Sequence, residues 1–131
     1  MNTDPRPVTG CDLVDIRRFG AAIARRPGIL PRVFTDLELA EGGRGGVSLD
    51  SEVGLARLAA RFAAKEAVRK ALRNMRLPFH DVEVRSADDG APQLWFGDRP
   101  SALSCSLSHD GGMAMAVVFG LDHTPIPTPT S

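Results

Sequence analysis

Lysine is nearly missing from this chain. Fourteen of its sixteen basic residues are arginine, and both lysines, Lys65 and Lys70, fall in one segment, Arg61-Phe62-Ala63-Ala64-Lys65-Glu66-Ala67-Val68-Arg69-Lys70-Ala71-Leu72. Net charge is zero and the pI is near 6.8. A general nucleic-acid binder usually carries a basic excess, so the balance argues against that class while leaving room for a local basic patch. No apolar run approaches the length of a membrane span. The start, Met1-Asn2-Thr3-Asp4-Pro5, lacks the basic region and apolar stretch of a secretory signal, which predicts a cytoplasmic protein. Cysteine is scarce as well: Cys11 and Cys105 stand alone in apolar contexts, without zinc-ligand spacing. They are expected to be free, buried thiols in a reducing compartment. There is no internal repeat, and 131 residues make one domain with room for a real core.

What is present gains meaning from that background. A composition so biased toward arginine keeps lysine where a compact, mobile ammonium is wanted, as for a phosphate met as a point charge. Glu66 and Lys70 are four apart, hence one turn apart on one helix face. Such a pair is either an ordinary surface ion pair or a metal ligand beside a phosphate contact.

The periodicity predicts α+β, with helices packed on one face of a mostly antiparallel sheet of two hairpins. Residues 1–7 read as a disordered N-terminus, 8–121 as the folded domain and 122–131 as a disordered proline- and threonine-rich tail. Residues 8–14 form a first strand. Residues 15–26 carry Ile16, Phe19, Ala22 and Ile23 at helical spacing, stopped by Pro27-Gly28. Thr35 and Glu38 make a capping box for a short helix over 36–41. Glycines crowd a mobile loop at 42–46. The longest helix runs over 51–72, and its alanines permit a close neighbour. Period-two alternation follows at Val82 and Val84, and the Asp88-Asp89-Gly90 turn leads to a return strand at 93–96. A second hairpin joins 103–108 to 113–119 around His109-Asp110-Gly111-Gly112.

Three separated segments then resemble one family. Gly10-Cys11-Asp12 resembles its opening Gly-x-Asp motif. Arg61 to Leu72 resembles its signature helix, and Ser106-Leu107-Ser108-His109 its Ser-x-Ser-His strand end. The family is holo-(acyl-carrier-protein) synthase, a group of 4′-phosphopantetheinyl transferases. The resemblance implies transfer of 4′-phosphopantetheine from coenzyme A to a serine of an apo acyl carrier protein, releasing 3′,5′-ADP. It implies Asp12 and Glu66 as ligands of Mg2+ (or Mn2+) and Lys70 as the phosphate contact. Glu66, directly or through a water, would accept the serine proton. It implies His109, Arg61 and Ser108 as coenzyme A contacts, and the turn at Gly90 to Pro92 as an adenine-side hairpin. His80 and His123 match nothing in it. Arg18 and Arg25 on the first helix would meet an acidic carrier protein. A homotrimer with active sites between protomers is implied too. Arg73-Asn74-Met75-Arg76-Leu77-Pro78 departs from the glycine-rich stretch that usually follows the signature helix. Two other readings stay open: a non-catalytic coenzyme A or carrier-protein binding module on the same fold, and a small assembly protein whose Glu66 and Lys70 pair across subunits.

Overall fold

A computed structural model describes residues 4–123. The element order is β1 (Arg6–Asp15), α1 (Ile16–Arg25), α2 (Ile29–Val33), α3 (Asp36–Gly42), α4 (Glu52–Ala71), a 3-10 turn (Phe79–Asp81), β2 (Val82–Ser86), β3 (Pro92–Phe96), β4 (Arg99–Pro100), β5 (Ser104–Asp110) and β6 (Met113–Asp122). Two antiparallel three-stranded sheets result, one ordered β1-β6-β5 and the other β2-β3-β4. The α+β expectation holds. The two hairpins lie in separate sheets, and α4 packs against strands of both.

The helix α4 is the axis of the molecule. Ala59, Ala63, Ala64 and Ala67 are wholly buried along it, so strands approach its backbone closely. Gly10 of β1 takes that approach to its limit: a Cβ there would run into the carbonyl oxygen of Ala67. Strand alternation then aims Asp12, two residues along, at the same helix. The buried residues Ala114, Ala116 and Val118 of β6 continue this inner layer. Phe19, Phe62 and Phe79 form a chain of ring contacts, at 5.6 and 5.8 Å between centroids, that ties α1 and the 3-10 turn to α4.

Local signals act as expected at several ends. Asp15 caps α1 by accepting from Arg18 N at 3.0 Å. Thr35 and Glu38 complete the capping box of α3, and Ser51 caps α4. The hairpin between β5 and β6 turns on Gly111 and Gly112, both at positive φ, as a tight two-residue turn requires.

Four expectations need correction. First, β1 begins at Arg6, whose guanidinium pairs with Asp122 at 3.2 Å, so the ordered unit reaches past both limits of 8–121. The rest of the predicted tail, from 124 on, lies outside the described residues, as do residues 1–3. Second, Cys11 is exposed: it alternates with Gly10 and Asp12, which face α4. Third, His109 and Asp110 belong to β5, and the turn is the glycine pair alone. Fourth, α2 and β4 were not expected. They are five and two residues long, and each contains a proline. Arg73 follows α4 at φ 52°, a left-handed position that glycine occupies without strain.

Candidate active site

The first cluster forms where β1 meets the last turns of α4. Lys70 Nζ donates to Asp12 Oδ1 at 3.0 Å and to the Cys11 carbonyl at 3.1 Å. The bond to Asp12 raises the Lys70 pKa above its ordinary value, and the nearby charge of Asp12 adds to the effect. Asp12 and Glu66 both line one cleft between β1, α1 and α4, together with Arg18, Phe19 and Phe62. The expected Glu66–Lys70 pair does not form. Glu66 Oε1 instead accepts from Arg69 at 3.1 Å. Arg69 is itself fixed by the Leu77 carbonyl at 2.9 Å and lies 4.1 Å from the Phe79 ring centroid. This leaves Oε2 of Glu66 uncommitted to Arg69 and turns Lys70 toward Asp12. Two carboxylates on one cleft, with an ammonium beside one of them, form a donor set for a hard divalent cation and an anionic ligand.

A second cluster lies on the far flank of α4. Arg44, Arg57, Arg61, Ser86, Gly90, Pro92, Ser108 and His109 line one cleft. Its lining holds three arginines and a histidine but no carboxylate, so it suits an anion. Arg61 is mostly buried, and its terminal nitrogens are occupied by the Glu41 carboxylate at 2.9 Å and the Arg57 carbonyl at 3.1 Å. Arg57 donates to the carbonyls of Gly42 and Arg44, at 3.2 and 2.8 Å. The glycine loop is thereby held against α4. His109 shares its register with Ala114 and Val14, both buried on the α4 side. Ser108 shares its register with Met115 and Leu13, which are exposed on the opposite face. Alternation therefore sends its hydroxyl outward, away from Arg61.

The fold thus brings Asp12, Glu66, Lys70 and Arg18 together, and separately Arg61 and His109. Arg25 lines neither cleft: it borders an adjoining cavity with Ala22, Arg26 and Ile29, of which Ala22 and Ile29 also line the cleft of Asp12 and Glu66. His80 Nε2 donates to the Pro31 carbonyl at 2.7 Å and serves the fold. Two organising groups, Arg69 and Glu41, escaped the sequence reading, and the structural role of Lys65 did too. Arg69 had a signal, its i,i+3 spacing from Glu66. Glu41 had none. Lys65, the other lysine, is 1% exposed and pairs with the fully buried Glu38 at 2.8 Å. Burial lowers the Lys65 pKa, partly offset by the Glu38 charge.

Comparison with known proteins bears directly on these clusters. The sequence profile of the 4′-phosphopantetheinyl transferase superfamily matches residues 9–118. The chain is similar to a holo-(acyl-carrier-protein) synthase of Frankia alni, 42% identical over 122 residues, covering 83% of this chain and 92% of that protein. A holo-(acyl-carrier-protein) synthase of Streptomyces griseus is 40% identical, with 84% and 93% covered. Among solved structures, the Chronobacterium ammoniagenes ACPS–CoA complex superposes with a TM-score of 0.74 at 26% identity, over 92% of this chain and 99% of that one. The Bacillus anthracis holo-(acyl-carrier-protein) synthase in complex with CoA (3′,5′-ADP) gives 0.72 at 27% identity, over 87% and 95%. With the profile spanning both clusters and relatives above 40% identity over most of its length, this chain belongs to the holo-(acyl-carrier-protein) synthase family of 4′-phosphopantetheinyl transferases.

Proposed function

We propose that this chain transfers 4′-phosphopantetheine from coenzyme A to a serine hydroxyl of an apo acyl carrier protein, giving the holo carrier protein and 3′,5′-ADP. The observation that carries this reading is the shared cleft of Asp12 and Glu66, with Lys70 bonded to Asp12 at its edge. The donor set fits Mg2+ or Mn2+, which takes one or two carboxylates and completes its shell with phosphate oxygens and water. Such an ion would supply charge neutralisation on the pyrophosphate.

The chain's own residues do the rest. Lys70 has an ammonium with three donors, of which Cys11 and Asp12 take two, leaving one for a phosphate oxygen. In the transfer, the serine oxygen forms a bond to the β-phosphorus of coenzyme A. The bond from that phosphorus to the bridging oxygen breaks, and 3′,5′-ADP leaves with the electron pair. The serine proton passes to Glu66, directly or through a water. Arg69 holds Glu66 by Oε1, which leaves Oε2 outside that bond. The arginine-lined cleft with Arg61 and His109 would hold the nucleotide end, with Ser108 at its rim.

These clusters lie at opposite edges of the β1-β6-β5 sheet. We infer that neighbouring copies in a homotrimer bring them onto one ligand. Support comes from the sheet face turned away from α4, where Leu13 is 59%, Phe119 57% and Leu121 48% exposed. A row of this size invites coverage by protein. The two free thiols fit a cytoplasmic location. No helix among the described residues is long and apolar enough to cross a membrane.

Incubation with coenzyme A, Mg2+ and several apo carrier proteins, read by intact mass, tests the reaction. One phosphopantetheine should be added per carrier and 3′,5′-ADP released. Asp12→Ala and Glu66→Gln should each abolish most turnover while circular dichroism stays unchanged, and excess chelator should do the same to the parent. Coenzyme A binding without any 3′,5′-ADP would instead identify a binding module. Full activity in chelator would remove the metal from the scheme.

A further inference from the structure

Glu41 carries an arrangement that the reaction scheme leaves unused. It sits in α3, outside the arginine cleft, yet its carboxylate reaches two elements that line it. Oε2 accepts from Arg61 at 2.9 Å and from the Ser86 hydroxyl at 3.3 Å, and Oε1 accepts from Ser86 N at 3.2 Å. The pair is mostly buried, with Arg61 at 11% and Glu41 at 18% exposure. A guanidinium in such a place must have its donors met. The fork geometry makes the direction of the partner decisive, because five N–H groups point along fixed axes. Glu41 and the Arg57 carbonyl take the terminal nitrogens, while Arg61 Nε is buried without a partner among the described residues. The planar group is therefore clamped from the α3 side, and its orientation toward the cleft is set by α3 and β2.

We propose that Glu41 is a positioning residue for Arg61: by tying the guanidinium to α3 and to Ser86 of β2, it aims Arg61 at the phosphates of coenzyme A. This rests on the reading of the arginine cleft as the nucleotide site. Glu41 touches no ligand itself. Its effect should travel only through Arg61 and should concern the nucleotide, not the carrier protein. A purely structural role would instead lower stability and weaken every step alike.

The test is a double-mutant cycle in the full chain, read by calorimetric binding of coenzyme A and of 3′,5′-ADP. Glu41→Gln should raise the dissociation constant of both about tenfold, the scale of one lost charge-assisted hydrogen bond. The Michaelis constant for the carrier protein should not move. In an Arg61→Ala background the same change should have no further effect on binding, since its intermediary is gone. Glu41→Asp, which keeps the charge but draws it back by one methylene, serves where Glu41→Gln folds poorly, and should give a smaller loss with the same dependence on Arg61. Equal losses with and without Arg61, unchanged nucleotide binding, or tighter binding from a released Arg61 would each overturn the assignment. A parent protein that binds neither nucleotide would refute the reading of the cleft itself.

Discussion

Replacing Lys65 by methionine tests how much of this fold hangs on one buried charge pair. The ammonium donates to Glu38 Oε1 at 2.8 Å, to the Phe79 carbonyl at 2.8 Å and to the Val82 carbonyl at 2.5 Å. All three of its donors are thus matched. Glu38 in turn accepts from Thr35 N at 2.9 Å and from Val84 N at 2.8 Å. The pair therefore joins α3, α4, the 3-10 turn and β2 at one point. Methionine retains most of the apolar stem but leaves a buried carboxylate without its counter-ion and two carbonyls without donors. Removing one partner of such a pair costs about 3–5 kcal/mol. Against a total stability of about 5–15 kcal/mol for a domain, this should lower the melting temperature by about 10–20 °C. Urea unfolding of parent and variant at one protein concentration gives the number, since any contribution of assembly is then held constant between them. A loss below about 1 kcal/mol would refute the reasoning and place the pair with surface bridges. Glu38→Gln strands the opposite charge and should be milder, because a lysine can shed its proton. Burial already holds the Lys65 pKa below 10.5, and removing Glu38 takes away the charge that offsets it. Above that depressed value the folded state binds fewer protons than the unfolded state, until pH 10.5 is passed. The stability of Glu38→Gln relative to the parent should therefore rise as pH increases toward 10.5 and be lowest below the depressed folded value.

Other outcomes follow from the same geometry. Arg18 lines the cleft of Asp12 and Glu66, so Arg18→Glu should raise the carrier Michaelis constant well above any change for coenzyme A, and added salt should do likewise to the parent. Arg25→Glu should have a weaker effect, since Arg25 lies outside that cleft; unchanged carrier kinetics in both variants at low salt would place docking elsewhere. Cys11 is exposed, whereas burial pushes the Cys105 thiol up to about 11. Iodoacetamide at pH 8 should therefore label Cys11 well before Cys105 in the folded monomeric variant Phe119→Glu, as peptide mapping should show, and equal labelling of the two would contradict the burial difference. Arg73→Gly relieves a left-handed φ of 52° and should stabilise the chain by about 0.5–1 kcal/mol in urea titration, the steric gain exceeding the added chain entropy.

Much of the architecture was legible because its signals are local. The capping box at Thr35 and Glu38, the Gly111-Gly112 turn and the alternation around Val82 and Val84 each act within a few residues. The candidate ligands Asp12, Glu66 and Lys70 were legible through motif resemblance, yet their pairing was not. Spacing alone favoured Glu66 with Lys70, while the structure gives each a different partner, Arg69 and Asp12. The choice depends on how close β1 comes to α4, which Gly10 permits and which no window of α4 records. Glu38 shows the same boundary. Its bond to Thr35 N is local and was expected, but its hold on Lys65 and Val84 joins positions 27 and 46 residues away. Cys11 was misplaced because an apolar neighbourhood says that a strand is buried, whereas alternation decides which of its faces is.

The helix α4 also explains why one protomer holds two clusters and not one. At about 100° per residue, Glu66 lies about 140° and Lys70 about 180° around the helix from Arg61. Arg57 is one turn before Arg61 and shares its flank. The carboxylate side of α4 thus faces β1 and α1, while the arginine side faces α3 and β5. Rotating a side chain cannot close that angle, because the core alanines between the flanks fix the helix against both sheets. In the homotrimer proposed above, a pyrophosphate-linked ligand that needs both flanks would draw them from two copies of the chain. The exposed leucine and phenylalanine row on the outer sheet face provides the surface on which such copies would meet. Introducing a charge into that row away from the Asp12 cleft, as in Phe119→Glu, should therefore yield a monomer by light scattering that retains its fold but no longer turns over. A monomeric Phe119→Glu with parental turnover would show that one chain completes the site alone.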